Sequence, residues 1–336
     1  MELKRIFKFR NLWIGIAMLW IVFFHAGFWI GIEELLVFKN LGYGGVDICL
    51  FASGIGCYFS LEKNPDTLEF LRRRIKRLGP TYLCFIIPWV IWRRLAFQLP
   101  LRAVVGNLLG IQTLVSWDYH FNWYIGGLVV YYLAMPLLKQ LTDSISHMVK
   151  ELAVILLLFA VSVPFWNYGN TIVILSRLPV LYAGLVFAKL SKQGYMLKKR
   201  DLLLLGLLSV VGAVLLVTFY YRVPDLLWPR GLYWYPFALI VPGVCVFFSL
   251  VAEKTENCKI LRWGNRLLET VGVYSFELYL IHVFLYEGLM PGIAARLWMV
   301  PANILWAMTI PVVVAGTCLL NRAVALICRL TAKQKA

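Results

Sequence analysis

The chain reads as long apolar runs separated by short polar segments, most of them cationic. A bilayer crossing needs roughly 20 apolar residues. Runs of that order fall at 11–30, 43–61, 78–97, 122–141, 151–168, 171–190, 201–221, 232–251, 267–287 and 303–322. The pattern predicts an all-α integral membrane protein of about ten transmembrane helices, forming one membrane domain over 1–336 with no soluble module attached. The stretch 103–117 is too short to span and is expected to lie at the interface or to re-enter. The first run follows a charged start, as in a signal peptide. It is about 20 residues long, however, and no small-residue cleavage site follows it, so it is read as the first span.

Composition supports the same class. Hydrophobic residues make up 61% of 336 and charged residues 15%, against about 25% charged in a soluble domain. Mean hydropathy is +0.76. The 13 Trp suit rings gathered at the two membrane interfaces. Of the 33 Lys and Arg, 25 fall in segments 1–10, 62–77, 139–150, 189–200, 252–266 and 321–336, leaving 8 for the outward side. That bias predicts both termini inside. The net charge of +16 then reflects topology and attraction to anionic inner-leaflet lipids, and nucleic-acid binding is set aside. The seven cysteines form no C-x-x-C pair; they read as small buried hydrophobes, with no disulfide framework and no metal site.

Ionisable side chains at membrane depth are costly and usually mark function. Four stand out: His25, Asp47, Glu277 and His282. Counted from the inner ends of their runs, His25 and Asp47 lie about 21 Å deep and His282 about 22 Å, at 1.5 Å per residue. The two histidines and the aspartate are therefore expected at one level in the outer half of the bilayer. Ser275, Tyr279, His282 and Tyr286 follow at i, i+4, i+7 and i+11, a polar stripe that should face the bundle interior.

On the inner side, five of the six residues 72–77 are cationic, at the mouth of the third run. Arg74 and Arg77 are spaced i, i+3, so their planar forks can share one anion such as phosphate. A plain positive-inside anchor would look the same, and the spacing leaves both readings standing.

Five segments carry a resemblance. They are the first helix ending Val22-Phe23-Phe24-His25, then Gly45-Val46-Asp47 through Ser53-Gly54, then Arg74-Ile75-Lys76-Arg77-Leu78-Gly79-Pro80-Thr81-Tyr82. Trp123-Tyr124 before Tyr131-Tyr132 and Pro136 follows, and last Ser275-Phe276-Glu277-Leu278-Tyr279-Leu280-Ile281-His282. In this order they resemble the membrane-bound acyltransferase 3 family of polysaccharide O-acyltransferases over nearly the whole chain. One position departs: the family's usual Arg or Lys eleven residues before the first-helix histidine is Ile14 here, and Arg10 lies one turn earlier.

The resemblance implies an acyl-CoA donor, commonly acetyl-CoA, on the cytoplasmic side. It implies an acceptor hydroxyl on an extracytoplasmic glycan or glycolipid at the plasma membrane, and leaves room for a partner enzyme. Set on this sequence, it places CoA phosphates at Arg74 and Arg77, with Arg10 nearby, and the catalytic base or acyl-carrying nucleophile at His25. Histidine suits a base near neutral pH. Asp47 is chosen as its carboxylate partner, while Ser53, Glu277, Tyr279 and His282 are candidates for acceptor contact, oxyanion support or helix bracing. The aromatic segments 117–123 and 228–235 suit interfacial belts better than sugar stacking. A proton-coupled transporter is the main rival, opposed by the lack of paired interrupted helices in the two halves; a purely structural or sensory component is the third.

Overall fold

The computed structural model describes residues 2–116, 123–297 and 299–333. These form helices joined by short connections: α1 Arg10–His25, α2 Glu33–Asn40, α3 Gly45–Lys63, α4 Thr67–Phe97, α5 Leu101–Leu108, α6 Trp123–Ser144 and α7 Met148–Ser162. There follow α8 Gly169–Leu175, α9 Leu178–Lys192, α10 Lys199–Arg222, α11 Phe237–Thr255, α12 Lys259–Val273, α13 Ser275–Val283, α14 Met290–Arg296 and α15 Ala302–Lys333. Among the described residues there is no strand, only an isolated bridge between Glu2 and Met196. The chain is an all-α membrane protein.

Nine helical stretches among the described residues are long and apolar enough to cross a membrane. The remaining expected run, 78–97, lies inside α4, which carries Arg72, Arg73, Arg74, Lys76 and Arg77 in its first half and Arg93 and Arg94 near its end. Those cations keep it short of the apolar length the nine reach. Local signals set its ends. Asp66 caps the start by accepting from the Glu69 N–H at 2.6 Å. Gln98 closes it in the left-handed region, φ 51°, two residues before Pro100.

Burial sorts the spans. Over the apolar 18-residue core of each stretch, Gly169–Lys192 is 83% buried and Glu33–Lys63 72%, so these run through the centre; Met148–Phe165 and Lys199–Arg222 are 11% buried and form the rim. Leu203, Leu207, Val210 and Val214 point outward from the rim, as suits a lipid-facing surface. The closest crossings use glycine. A Cβ on Gly54 would run into the Leu181 carbonyl, and one on Gly184 into the Phe51 carbonyl, fixing α3 on α9. Gly15 and Gly272 do the same for α1 and α12.

Several segments expected on the inner side do lie together. Glu62 takes Lys139 at 3.1 Å and Lys192 at 2.6 Å. Lys8 meets Glu256 at 2.6 Å, and the Leu3 N–H donates to the Tyr195 carbonyl at 3.2 Å. Segments 1–10, 62–77, 139–150, 189–200 and 252–266 thus share one face.

Two expectations on helix limits are corrected. The first span ends at His25 instead of residue 30, because the chain turns extended at Ala26. The run 267–287 is broken at Tyr274 into α12 and α13 and then widens into a π-helical turn, Phe284–Leu289. Over 103–116 the chain makes two short helices, α5 and Gln112–Val115, reversing at Gly110 with φ +70°, where glycine is favoured. Only Cys57 and Cys245 are fully buried; Cys258, Cys318 and Cys328 are exposed.

Candidate active site

His25 is the last residue of α1. Its Nδ1 donates to the Ile21 carbonyl one turn back, at 2.8 Å. A carbonyl only accepts, so Nδ1 holds the proton and Nε2 is the nitrogen left for chemistry. His282, in the last turn of α13, repeats the arrangement, with Nδ1 donating to the Leu278 carbonyl at 2.8 Å. Its Nε2 is buried with no hydrogen-bond partner among the described residues. The two rings meet edge to face with centroids 5.1 Å apart. The expected common level of the two histidines is therefore real. Tyr279, His282 and Tyr286 are all buried, so that stripe faces inward.

Asp47 is elsewhere. It lies in the first turn of α3, where the helix macrodipole favours a negative charge. Its Oδ2 accepts from Nε of Arg177 at 3.3 Å, and both side chains are fully buried. Arg177 also donates to the Val173 carbonyl at 3.1 Å. Its guanidinium lies 4.6 Å from the ring of Tyr43, 4.8 Å from Trp123 and 4.9 Å from Trp234, a cationic group boxed by aromatic faces. The carboxylate expected to orient His25 thus serves Arg177, and both ring nitrogens of His25 have other neighbours. Among the described residues, the carboxylate in contact with His25 is Glu287, whose Oε1 is 3.2 Å from Nε2.

A cleft runs along α1. It is lined by Arg10, Ile14 and Ile21 of α1, Val46, Cys49 and Ser53 of α3, Arg77 of α4, Tyr124 and Tyr132 of α6, and Ser275 and Tyr279 of α13. Its cavity volume is about 100 Å³. The lining includes the residue whose carbonyl holds His25 and the tyrosine whose ring is 5.9 Å from His282. From Arg10 to His25 the helix rises about 22 Å at 1.5 Å per residue.

Arg10, Ser53, Arg77 and Tyr279 are thus brought to one cleft; His25 and His282 are outside its lining and adjoin it through Ile21 and Tyr279. Arg74 faces Cys57 and Tyr132 as Arg77 does, but it is not in the lining of this cleft. It lines an adjoining, largely apolar groove with Leu71, Leu78, Tyr82 and Leu133, and its guanidinium sits 4.9 Å from the Phe70 ring and 5.7 Å from Tyr132. Arg10 takes the place beside Arg77, its guanidinium against Gly56, where a Cβ would come within 3.4 Å. Glu277 stands apart from the histidines and accepts from Thr81 at 3.4 Å.

Two residues escaped the sequence reading. Arg177 was counted among outward cations although it lies inside the apolar run 171–190, and that placement was the available signal. Glu287 sat at the edge of its predicted span, where a carboxylate attracts no notice. The aromatic segments also differ from expectation. Residues 117–122 lie outside the described residues. Trp123, Tyr233 and Trp234 are buried around Tyr43 and Arg177 instead of forming an interfacial belt.

Neither the curated proteins nor the solved structures give a match to the chain. The family model described as an acyltransferase domain matches residues 11–322. That span takes in the histidine pair, the buried Asp47–Arg177 pair and all but the Arg10 edge of the cleft. With nine apolar membrane-length helices around such a site, the chain belongs to the acyltransferase domain family and is a multi-pass membrane acyltransferase.

Proposed function

We propose that the protein moves an acyl group, acetyl in the first instance, from cytoplasmic acyl-CoA to a hydroxyl of an extracytoplasmic glycan or glycolipid at the plasma membrane. The observation that carries this reading is the cleft that has Arg10 and Arg77 in its lining together with Ile21 and Tyr279, the immediate neighbours of His25 and His282. Arg10 and Arg77 supply planar cationic forks suited to the phosphates of CoA. The extended pantetheine arm then follows α1, bringing the thioester to the histidine end. Cys49, Leu128 and Phe276 give that path an apolar lining.

Beside the histidines the hydroxyl needs a proton acceptor as its oxygen bonds to the thioester carbon. Nε2 of His25 is the proposed acceptor, its ring locked by Ile21. As the C–S bond breaks, the electron pair goes to sulfur, and the imidazolium returns its proton to the thiolate, so ester and free CoA leave. The edge-on ring of His282 restricts how the acceptor can approach.

The test is mass spectrometry of envelope glycans and glycolipids from cells with and without the gene, alongside transfer from labelled acetyl-CoA by purified protein. One acyl group lost from one acceptor class, restored by the parent chain but not by His25→Ala, is the expected result. Intact thioester after incubation with every envelope extract tried would exclude the reading and favour a carrier.

A further inference from the structure

Nδ1 of His25 is committed to the Ile21 carbonyl, so in the neutral ring Nε2 presents a lone pair. The neighbour that meets it is an oxygen of the Glu287 carboxylate, 3.2 Å away, which presents lone pairs as well. Two such atoms repel unless a proton lies between them, whereas a ring that has just gained a proton there is held by the carboxylate. The contact is sheltered but reachable: the His25 side chain is 8% exposed and that of Glu287 30%.

The backbone that delivers Glu287 is unusual. α13 stops at Val283 and the next six residues, Phe284–Leu289, form a π-helical turn. In an α-helix, residues five apart point well away from each other. The wider i→i+5 turn brings Glu287 round toward the face that carries His282, and so toward the ring of His25. Isolated π turns recur at functional sites for such reasons. On the far side, Tyr286 is pinned within the same turn by a 3.0 Å hydrogen bond between its hydroxyl and that of Thr309, whose own proton goes to the Trp306 carbonyl.

We infer that Glu287 is the positioning carboxylate of His25, the part first given to Asp47, and that the π turn exists to place it. The inference rests on the acyl-transfer reading of His25. As the acceptor hydroxyl gives its proton to Nε2, the Glu287 carboxylate holds the imidazolium in place until that proton passes to the departing thiolate. Asp47 has no share in this step, being tied to Arg177.

The chain has 4 histidines, so selective ring ¹⁵N labelling gives a spectrum simple enough to assign by substitution. In Glu287→Gln the His25 Nε2 resonance should move while that of His147 stays in place. In turnover, Glu287→Gln should lower kcat about 100-fold, within the range of acid–base catalysis, and leave KM for acetyl-CoA unchanged. Glu287→Asp should recover part of the loss. Combined with His25→Ala it should add nothing further, because Glu287 acts through that ring. An unmoved His25 resonance, or losses that multiply in the double variant, would overturn the assignment. If the parent transfers no acyl group to any acceptor, the functional reading fails, and the resonance shift still decides the pairing.

Discussion

Nε of Arg177 lies 3.3 Å from the Asp47 carboxylate, and neither side chain reaches solvent. The contact joins the first turn of α3 to the start of α9, about two turns from where Gly54 and Gly184 let those helices touch. The remaining carboxylate oxygen and Nη2 are buried without hydrogen-bond partners among the described residues, so the pair depends on its mutual charge and on the surrounding rings.

Removing one member of a buried pair leaves an uncompensated charge, which costs about 3–5 kcal/mol. Asp47→Asn should therefore reduce folded yield and thermal stability in detergent, as should Arg177→Met. The double change Asp47→Leu with Arg177→Met should be milder than either alone, since apolar replacement of a whole buried pair is often neutral. Melting curves for the three variants check this. A harmless Arg177→Met would show that the pair does not brace the fold.

The glycine crossings give a paired comparison within one helix. A Cβ at Gly272 would strike the Asn11 carbonyl of the neighbouring helix, whereas one at Gly264 meets nothing within 4 Å. Gly272→Ala should destabilise the protein, because backbone carbonyls cannot step aside. Gly264→Ala should be neutral or stabilising by up to about 1 kcal/mol, the helix-propensity difference. Thermal unfolding of both variants, read by tryptophan fluorescence in the same detergent, separates the two.

Much of this fold was written in apolar run length, because hydrocarbon demands both helix and span. His25 and His282 were legible as one level, since depth along a helix follows from counting residues. Rotation about each helix axis was not legible. Asp47 is expected at that level too, yet Gly45 just before it packs against Ala17 and Ile21, and its carboxylate meets Arg177 instead of His25. Glu287 was hidden for a related reason: its approach to His25 depends on a π turn that no residue pattern announces. The Arg74–Arg77 spacing was right for one face of a helix, and the two side chains line adjoining spaces that share Tyr132 and Phe276.

The shared face of segments 62–77, 139–150 and 189–200 carries a prediction about orientation. Lys192 and Lys139 both reach Glu62 there, so these loops lie on one side of the membrane whichever side it is. The cation bias assigns that side to the cytoplasm. Gln193→Cys, placed in a chain whose exposed Cys258, Cys318 and Cys328 are replaced by serine, should resist impermeant thiol reagents in intact cells and react after permeabilisation. Labelling in intact cells would invert the topology and with it the proposed donor side.

The donor site yields the most discriminating prediction, because the cleft separates arginines that the sequence grouped together. Arg10 and Arg77 line the cleft, while Arg74 lines the neighbouring groove and stacks on Phe70 and Tyr132. Lysine keeps the positive charge and loses the planar fork that grips phosphate through two hydrogen bonds. Arg77→Lys should weaken acetyl-CoA binding about tenfold, equivalent to about 1.4 kcal/mol, and Arg10→Lys should do the same. Arg74→Lys should leave affinity near the parent value while lowering thermal stability, since a lysine ammonium stacks less well on the two rings. Calorimetric titration of the three purified variants with CoA tests this directly, without requiring an acceptor. A loss confined to Arg74→Lys would restore the i, i+3 pair as the phosphate site and move the donor out of the cleft.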